Sequence, residues 1–133
     1  MIRLRGWALV VAAWATSWAA AWSMAGTPYG GVVDALLRRF HAEERACGVT
    51  QLPAEACFVV APGRAAQLAE VVEAFLAEHA GAMVRGDWSS ANGAHHVAIS
   101  LPDAGWGALE LWLIEVPGDR IEGRFRHVPE RGR

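Results

Sequence analysis

Asp87, Ser89 and His96 have the side-chain types of a nucleophilic hydrolase: a hydroxyl to attack, an imidazole to take its proton, and a carboxylate to orient the imidazole. Asn92-Gly93 lies between them and is the strongest hairpin signal in the chain. A two-residue turn there places Ser89 opposite His96, with Asp87 on the diagonal. Acyl transfer also needs an oxyanion hole and a nucleophile held in a sharp turn, and the sequence contains no G-x-S-x-G element. Polar residues on the solvent side of a half-exposed hairpin are ordinary, so we assign no catalytic residue and keep a small envelope hydrolase on this face as an alternative. The chain has no lysine, which excludes Schiff-base chemistry and a P-loop. His95 and His96 are adjacent and point to opposite faces of a strand. His127 falls on the His95 side and meets it only if the sheet curls. Two ligands do not make a zinc site, so no metal and no cofactor is expected.

A second cluster needs no reaction. Trp112 opposite Arg124 makes a cation–π pair, and Glu110 opposite Arg126 an exposed ion pair. With Ile114 beside them, these five residues form a candidate binding patch, because Trp and Arg are enriched at interface hot spots. Cys47 and Cys57, with nine residues between them, are the only cysteines, and an even count in an exported chain favours a disulfide.

Export is read from the N-terminus. Arg3 and Arg5 precede Gly6 to Ala25, twenty residues without a charge, ending in Ser23-Met24-Ala25. Basic start, apolar stretch and small residues at −3 and −1 describe a signal peptide over residues 1–25, cut after Ala25. The alternative is an uncleaved membrane anchor, since about 20 apolar residues span a bilayer and Trp7, Trp14, Trp18 and Trp22 share one helical stripe. Residues 26–133 are then one periplasmic or secreted domain. Removing 25 of the 133 residues leaves ten arginines against 14 acids, a charge of −4. That balance argues against nucleic acid as a partner, and a membrane enters only if the N-terminal helix is retained.

The elements that would position these residues follow from periodicity. Thr27-Pro28 starts a helix whose apolar stripe is Val33, Leu36, Leu37, Phe40 and Cys47, with Gly48 as its stop. Cys57 to Ala61 reads as a buried strand. Pro62-Gly63 opens a second helix, with Leu68, Val72, Phe75, Leu76 and His79 inward, Glu70, Glu73 and Glu78 toward water, and Gly81 as its stop. Four antiparallel strands follow. Val84 is expected opposite Leu101, Leu101 opposite Leu109, and Leu111 opposite Phe125 across a three-residue Pro117-Gly118-Asp119 loop. The inward face is Val84, Trp88, Val97, Ile99, Leu101, Leu109, Leu111, Leu113, Ile121 and Phe125. Arg85, Asp87, Ser89, His96, Ser100 and the Trp112 patch face outward.

The expected fold is α+β, a two-layer sandwich. Two helices pack on one face of a mainly antiparallel sheet of about five strands, in the order α-β-α-β-β-β-β. The first strand and Ala82–Trp88 should be parallel neighbours with a right-handed crossover. Without a catalytic motif, the reading is a small, disulfide-stapled, exported domain with a non-catalytic binding or structural role, its protein partner or small ligand unspecified. A tethered accessory subunit of a membrane complex is the alternative if the leader is kept.

Overall fold

A computed structural model describes Met24 and residues 27–48, 54–102 and 105–129. The leader apart from Met24, with its tryptophan stripe, and the expected loop at residues 50–53 lie outside the described residues. The elements are α1 (Gly30–Arg39), β1 (Glu43–Arg45), β2 (Glu55–Val60), α2 (Ala65–Glu78), β3 (Val84–Arg85), β4 (Ser89–Ala91), β5 (Ala94–Ser100), β6 (Ala108–Val116) and β7 (Arg120–Val128). The α+β class and the antiparallel sheet hold, but the strand count and order differ from expectation. Seven strands form one sheet in the order β1-β2-β7-β6-β5-β3, with β4 also on β5.

The N-terminal helix is shorter than its apolar stripe suggested. Thr27 accepts the Tyr29 N–H on its hydroxyl (3.3 Å), and the helix starts at Gly30. At the far end His41 takes φ 53°. Its N–H donates to the Arg38 carbonyl (3.1 Å), and the next N–H, of Ala42, donates to that of Leu37 (3.0 Å). This is a Schellman stop with histidine where glycine is usual. The chain then turns into β1, so Cys47 is not on the helical stripe, although Val33, Leu36, Leu37 and Phe40 are buried as expected.

Strand β2 pairs antiparallel with β1 on one side and β7 on the other. The expected parallel contact with the strand after α2 is therefore absent: β7 fills that place, and β3 lies at the other end of the sheet. α2 buries Ala65, Leu68, Val72, Phe75 and Leu76, while His79 is exposed at its C-cap rather than inward. There its Nδ1 lies 2.9 Å from the Phe75 carbonyl oxygen. Neither Glu73 nor Glu78 simply faces water. Glu78 pairs with Arg39 and joins the two helices, and Glu73 accepts hydrogen bonds from Arg85 and from the Trp88 indole (both 2.9 Å). α2 lacks a cap from its own side chains, and Glu115 of β6 accepts the Ala65 N–H (3.1 Å).

The hairpin β4–β5 turns on Asn92-Gly93, both with positive φ, as a type I′ turn requires. Upstream the register slips by one. Gly86, Asp87 and Trp88 lie outside the strands, and Val84 pairs with Ser100 instead of Leu101. A one-residue slip exchanges faces. Val84 is consequently 47% exposed, Arg85 turns toward Glu73 on the helix side, and Asp87 leaves the sheet. Ile99, not Leu101, opposes Leu109, a two-residue offset that keeps the face. The β6–β7 register is as expected, with Pro117-Gly118-Asp119 as the three-residue loop. Val97, Ile99, Leu109, Leu111, Leu113, Ile121 and Phe125 are fully buried, in one core with both helices.

Candidate functional site

Helices cover one face of the sheet, and on the other face, among the described residues, the strand register aligns side chains in rows. One row crosses six strands: Arg45, Cys57, Arg124, Trp112, His96 and Ser89, each the cross-strand partner of the next. Its centre brings three planar groups together. The Arg124 guanidinium sits 4.7 Å from the Trp112 ring centre, and the His96 ring, tilted by 41°, lies 4.8 Å from the same centre. The Arg124–Trp112 pair is thus the cation–π pair that the spacing predicted. It is held further by Glu55, a carboxylate only 5% exposed, 3.6 Å from the Arg124 guanidinium.

The next row contains Glu55, Arg126 and Glu110 as cross-strand partners. Glu110 and Arg126 lie opposite each other as expected but form no ion pair. Glu110 turns instead toward His96, with 3.3 Å between its oxygen and Nε2. The alignment there is too poor for a hydrogen bond, so His96 Nε2 is buried with no hydrogen-bond partner among the described residues. Ile114, on the row beyond Trp112, is 43% exposed.

Between this patch and the sheet edge runs a groove of about 480 Å³. Its floor is apolar: Val59, Trp112, Ile114 and both cysteines. Cys47 and Cys57 are joined in a disulfide, which ties the coil after β1 to β2 and forms part of the groove wall. The rim carries Arg45, Arg120, Arg124 and Glu122. Each arginine lies within 4 Å of a carboxylate: Arg45 with Glu43 (3.3 Å), Arg120 with Glu122 (3.8 Å) and Arg124 with Glu55 (3.6 Å). The groove therefore mixes apolar side chains with paired charges in nearly equal measure. Sequence reasoning found its tryptophan, isoleucine and Arg124, but not Arg45, because a Glu-Glu-Arg segment carries no strand signal.

The hydrolase trio is not assembled. Ser89 lies across from His96, yet the imidazole packs against Trp112, and Asp87 sits in the irregular segment before β4. A Ser–His contact does exist one residue away, where Ser90 Oγ lies 2.7 Å from His95 Nδ1 on an exposed part of the hairpin. Spacing alone cannot separate Ser89–His96 from Ser90–His95. His127 does not meet His95; its Nε2 lies 2.7 Å from the Trp106 carbonyl oxygen and its ring packs near Tyr29. Among the described residues no group of three or more metal-ligating side chains converges, and no helix is long and apolar enough to cross a membrane.

Comparisons of the chain with protein-family models, curated proteins and solved structures found no match.

Proposed function

We infer that this is a small exported domain that binds a protein partner through the open face of its sheet and performs no catalysis there. The observation that carries the reading is the groove beside Trp112. A contiguous Arg–Trp–His cluster and an exposed isoleucine border apolar side chains, and ion pairs lie around them. A hydrophobic centre with a polar rim is the composition of protein interfaces, where Trp and Arg supply the dominant contacts. The rim arginines argue against a small anion as the ligand, because each already has a carboxylate beside it. Export rests on the leader sequence and agrees with a disulfide next to the groove, since disulfides persist in oxidising compartments.

The experiment is position-specific photo-crosslinking in the exporting host. A photoreactive residue replaces Ile114 in one variant and Gln67, exposed on α2, in another. A defined adduct at position 114, missing at 67 and lost when Trp112→Ala is added, supports the reading. Equal adducts at both positions, or none at 114, overturn it. Trp112→Ala should lower stability by only about 1 kcal/mol, as expected for a half-buried ring in cation–π and aromatic contacts. Retained folding by circular dichroism then separates lost capture from lost structure.

A further inference from the structure

The disulfide stands at the groove rather than in the core. Cys47 and Cys57 both line it and both are half-buried. The two sulfurs have unlike surroundings. Cys57 lies within β2 on the open face, and its cross-strand partners on both sides are arginines, Arg45 on β1 and Arg124 on β7. Cys47 lies outside the strands, in the coil after β1. Thiol–disulfide exchange depends on the leaving sulfur, which departs faster the better its thiolate is stabilised, and guanidinium groups beside a sulfur favour thiolate over thiol. Each arginine also has a carboxylate near it, Glu43 at 3.3 Å from Arg45 and Glu55 at 3.6 Å from Arg124. Those carboxylates screen the cations without using them up, because a guanidinium has more N–H donors than one carboxylate can occupy. The asymmetry therefore makes Cys57 the leaving sulfur and Cys47 the one attacked. Val59, Trp112 and Ile114 line the same groove and offer apolar contact to a chain approaching the disulfide.

Given the open-face binding reading, on which this rests, we propose that Cys47–Cys57 is a redox-active disulfide that takes a cysteine thiol of the bound protein partner. The partner's thiol gives its proton to water, and the thiolate attacks the Cys47 sulfur. A sulfur–sulfur bond forms between the partner and Cys47, the Cys47–Cys57 bond breaks, and Cys57 leaves as a thiolate between Arg45 and Arg124. The electrons balance, since the partner's sulfur is oxidised as Cys57 is reduced. The exchange runs once per chain and ends in a covalent complex, so it adds a bond to binding rather than a turnover.

The oxidised chain from the exporting host is mixed at neutral pH with two thiol probes at equal concentration. One is glutathione; the other is a short peptide whose single cysteine is flanked by leucine and tryptophan. Acid-quenched intact mass follows the adducts, and digestion maps them. A peptide adduct on Cys47 is expected, formed about threefold or more faster than the glutathione adduct. Arg45→Gln should slow both by a similar factor, Arg45→Lys should restore most of the rate, and Arg38→Gln on α1 should leave it unchanged. A purely structural Arg45 would give the opposite sign, because loosening β1 exposes the disulfide and quickens its opening. A disulfide inert to both probes, an adduct on Cys57 alone, no preference for the apolar peptide, or an Arg45→Gln rate equal to or above the native one each overturns the proposal. The photo-crosslink at position 114 needs no thiol, so a crosslink beside an inert disulfide removes the exchange and leaves the binding face standing.

Discussion

At the scale of single residues, the tightest constraint is a glycine. Gly123 lies on the inward face of β7 directly opposite Phe58 of β2, and the phenyl ring occupies the space where a side chain would stand. A Cβ built on Gly123 would come within 2.1 Å of the Phe58 ring. That ring also packs against Phe40 and Phe125, so it has little room to withdraw. Gly123→Ala should therefore destabilise the domain by about 1–3 kcal/mol, the usual cost of overpacking, read from denaturant unfolding. In a Phe58→Leu background the same change should cost much less, because the clashing atoms are gone; a full-size loss there would place the strain elsewhere. Glu73 constrains pH behaviour in a comparable way. Burial pushes its carboxyl upward, but hydrogen bonds from Arg85 and Trp88, with the Arg85 charge, outweigh burial and hold it below its ordinary value of 4.5. A carboxyl whose folded pKa is depressed adds stability above the unfolded pKa and loses it as pH falls through the folded one. Glu73→Gln should thus melt lower than the native chain near neutrality, and the two curves should converge in the acid range below 4.5. A gap that stays unchanged across the whole acid range in which the domain remains folded would show that packing, not charge, links α2 to Trp88.

At the scale of elements, α1 and the strand after it show how a local backbone choice redirects the chain. His41 adopts the left-handed conformation that ends α1, which costs a residue with a Cβ about 1 kcal/mol relative to glycine. His41→Gly should raise stability by roughly 0.5–1 kcal/mol in denaturant titration, since the histidine is exposed and the stop geometry is unchanged. A loss instead would mean that the imidazole has a structural role. The same position explains what was legible in the sequence. A helix stop is read from glycine, which points to Gly48 and hides β1, whose polar Glu-Glu-Arg has no alternation to report. The β6–β7 hairpin could be read to the residue, because a three-residue loop sets Leu113 and Leu111 opposite Gly123 and Phe125, whereas a two-residue loop would set them opposite Arg124 and Arg126. The Asn92-Gly93 turn was legible for the same kind of reason. The slip at Gly86–Trp88 was not, because an irregular segment needs no more than a permissive glycine, and it exchanged the faces of Val84 and Arg85. The expected β2–β3 contact failed on topology: strand, helix and strand in succession imply neighbours only if no later strand takes the place between them, and β7 did. Of the candidate site, the Arg124–Trp112 pair was legible from register alone. Arg45, the groove and the commitment of Glu110 to His96 depend on β1 and on side-chain choices that no spacing encodes.

At the scale of the whole molecule, that topology puts the last strand in the middle of the sheet. β7 is paired along nine residues to β6 and along six to β2, whereas β1 and β4 make three pairs each and β3 only two. β2 and β7 are some sixty residues apart in sequence, so the core cannot close until the end of the chain is in place, and interior amides should open only with global unfolding. Native-state hydrogen exchange should then separate two classes. Amides of β6, β7 and the paired part of β2 should report the full unfolding free energy, and those of β1, β3 and β4 much smaller local openings. The disulfide adds a second, sharper expectation. It closes only a short loop and anchors the coil after β1 to β2, so its reduction should act first on β1. The chain-entropy value of such a crosslink is about 2–3 kcal/mol. Under reduction, exchange in β1 should accelerate to that of an unstructured segment, while β6 and β7 keep their order of protection at a lower global stability. Because β1 carries Arg45 and one wall of the groove, capture at position 114 should weaken under the same conditions even though the Arg124–Trp112–His96 cluster remains. Protection in β1 that survives reduction, together with undiminished capture, would show that pairing with β2 is enough to hold the groove without the crosslink.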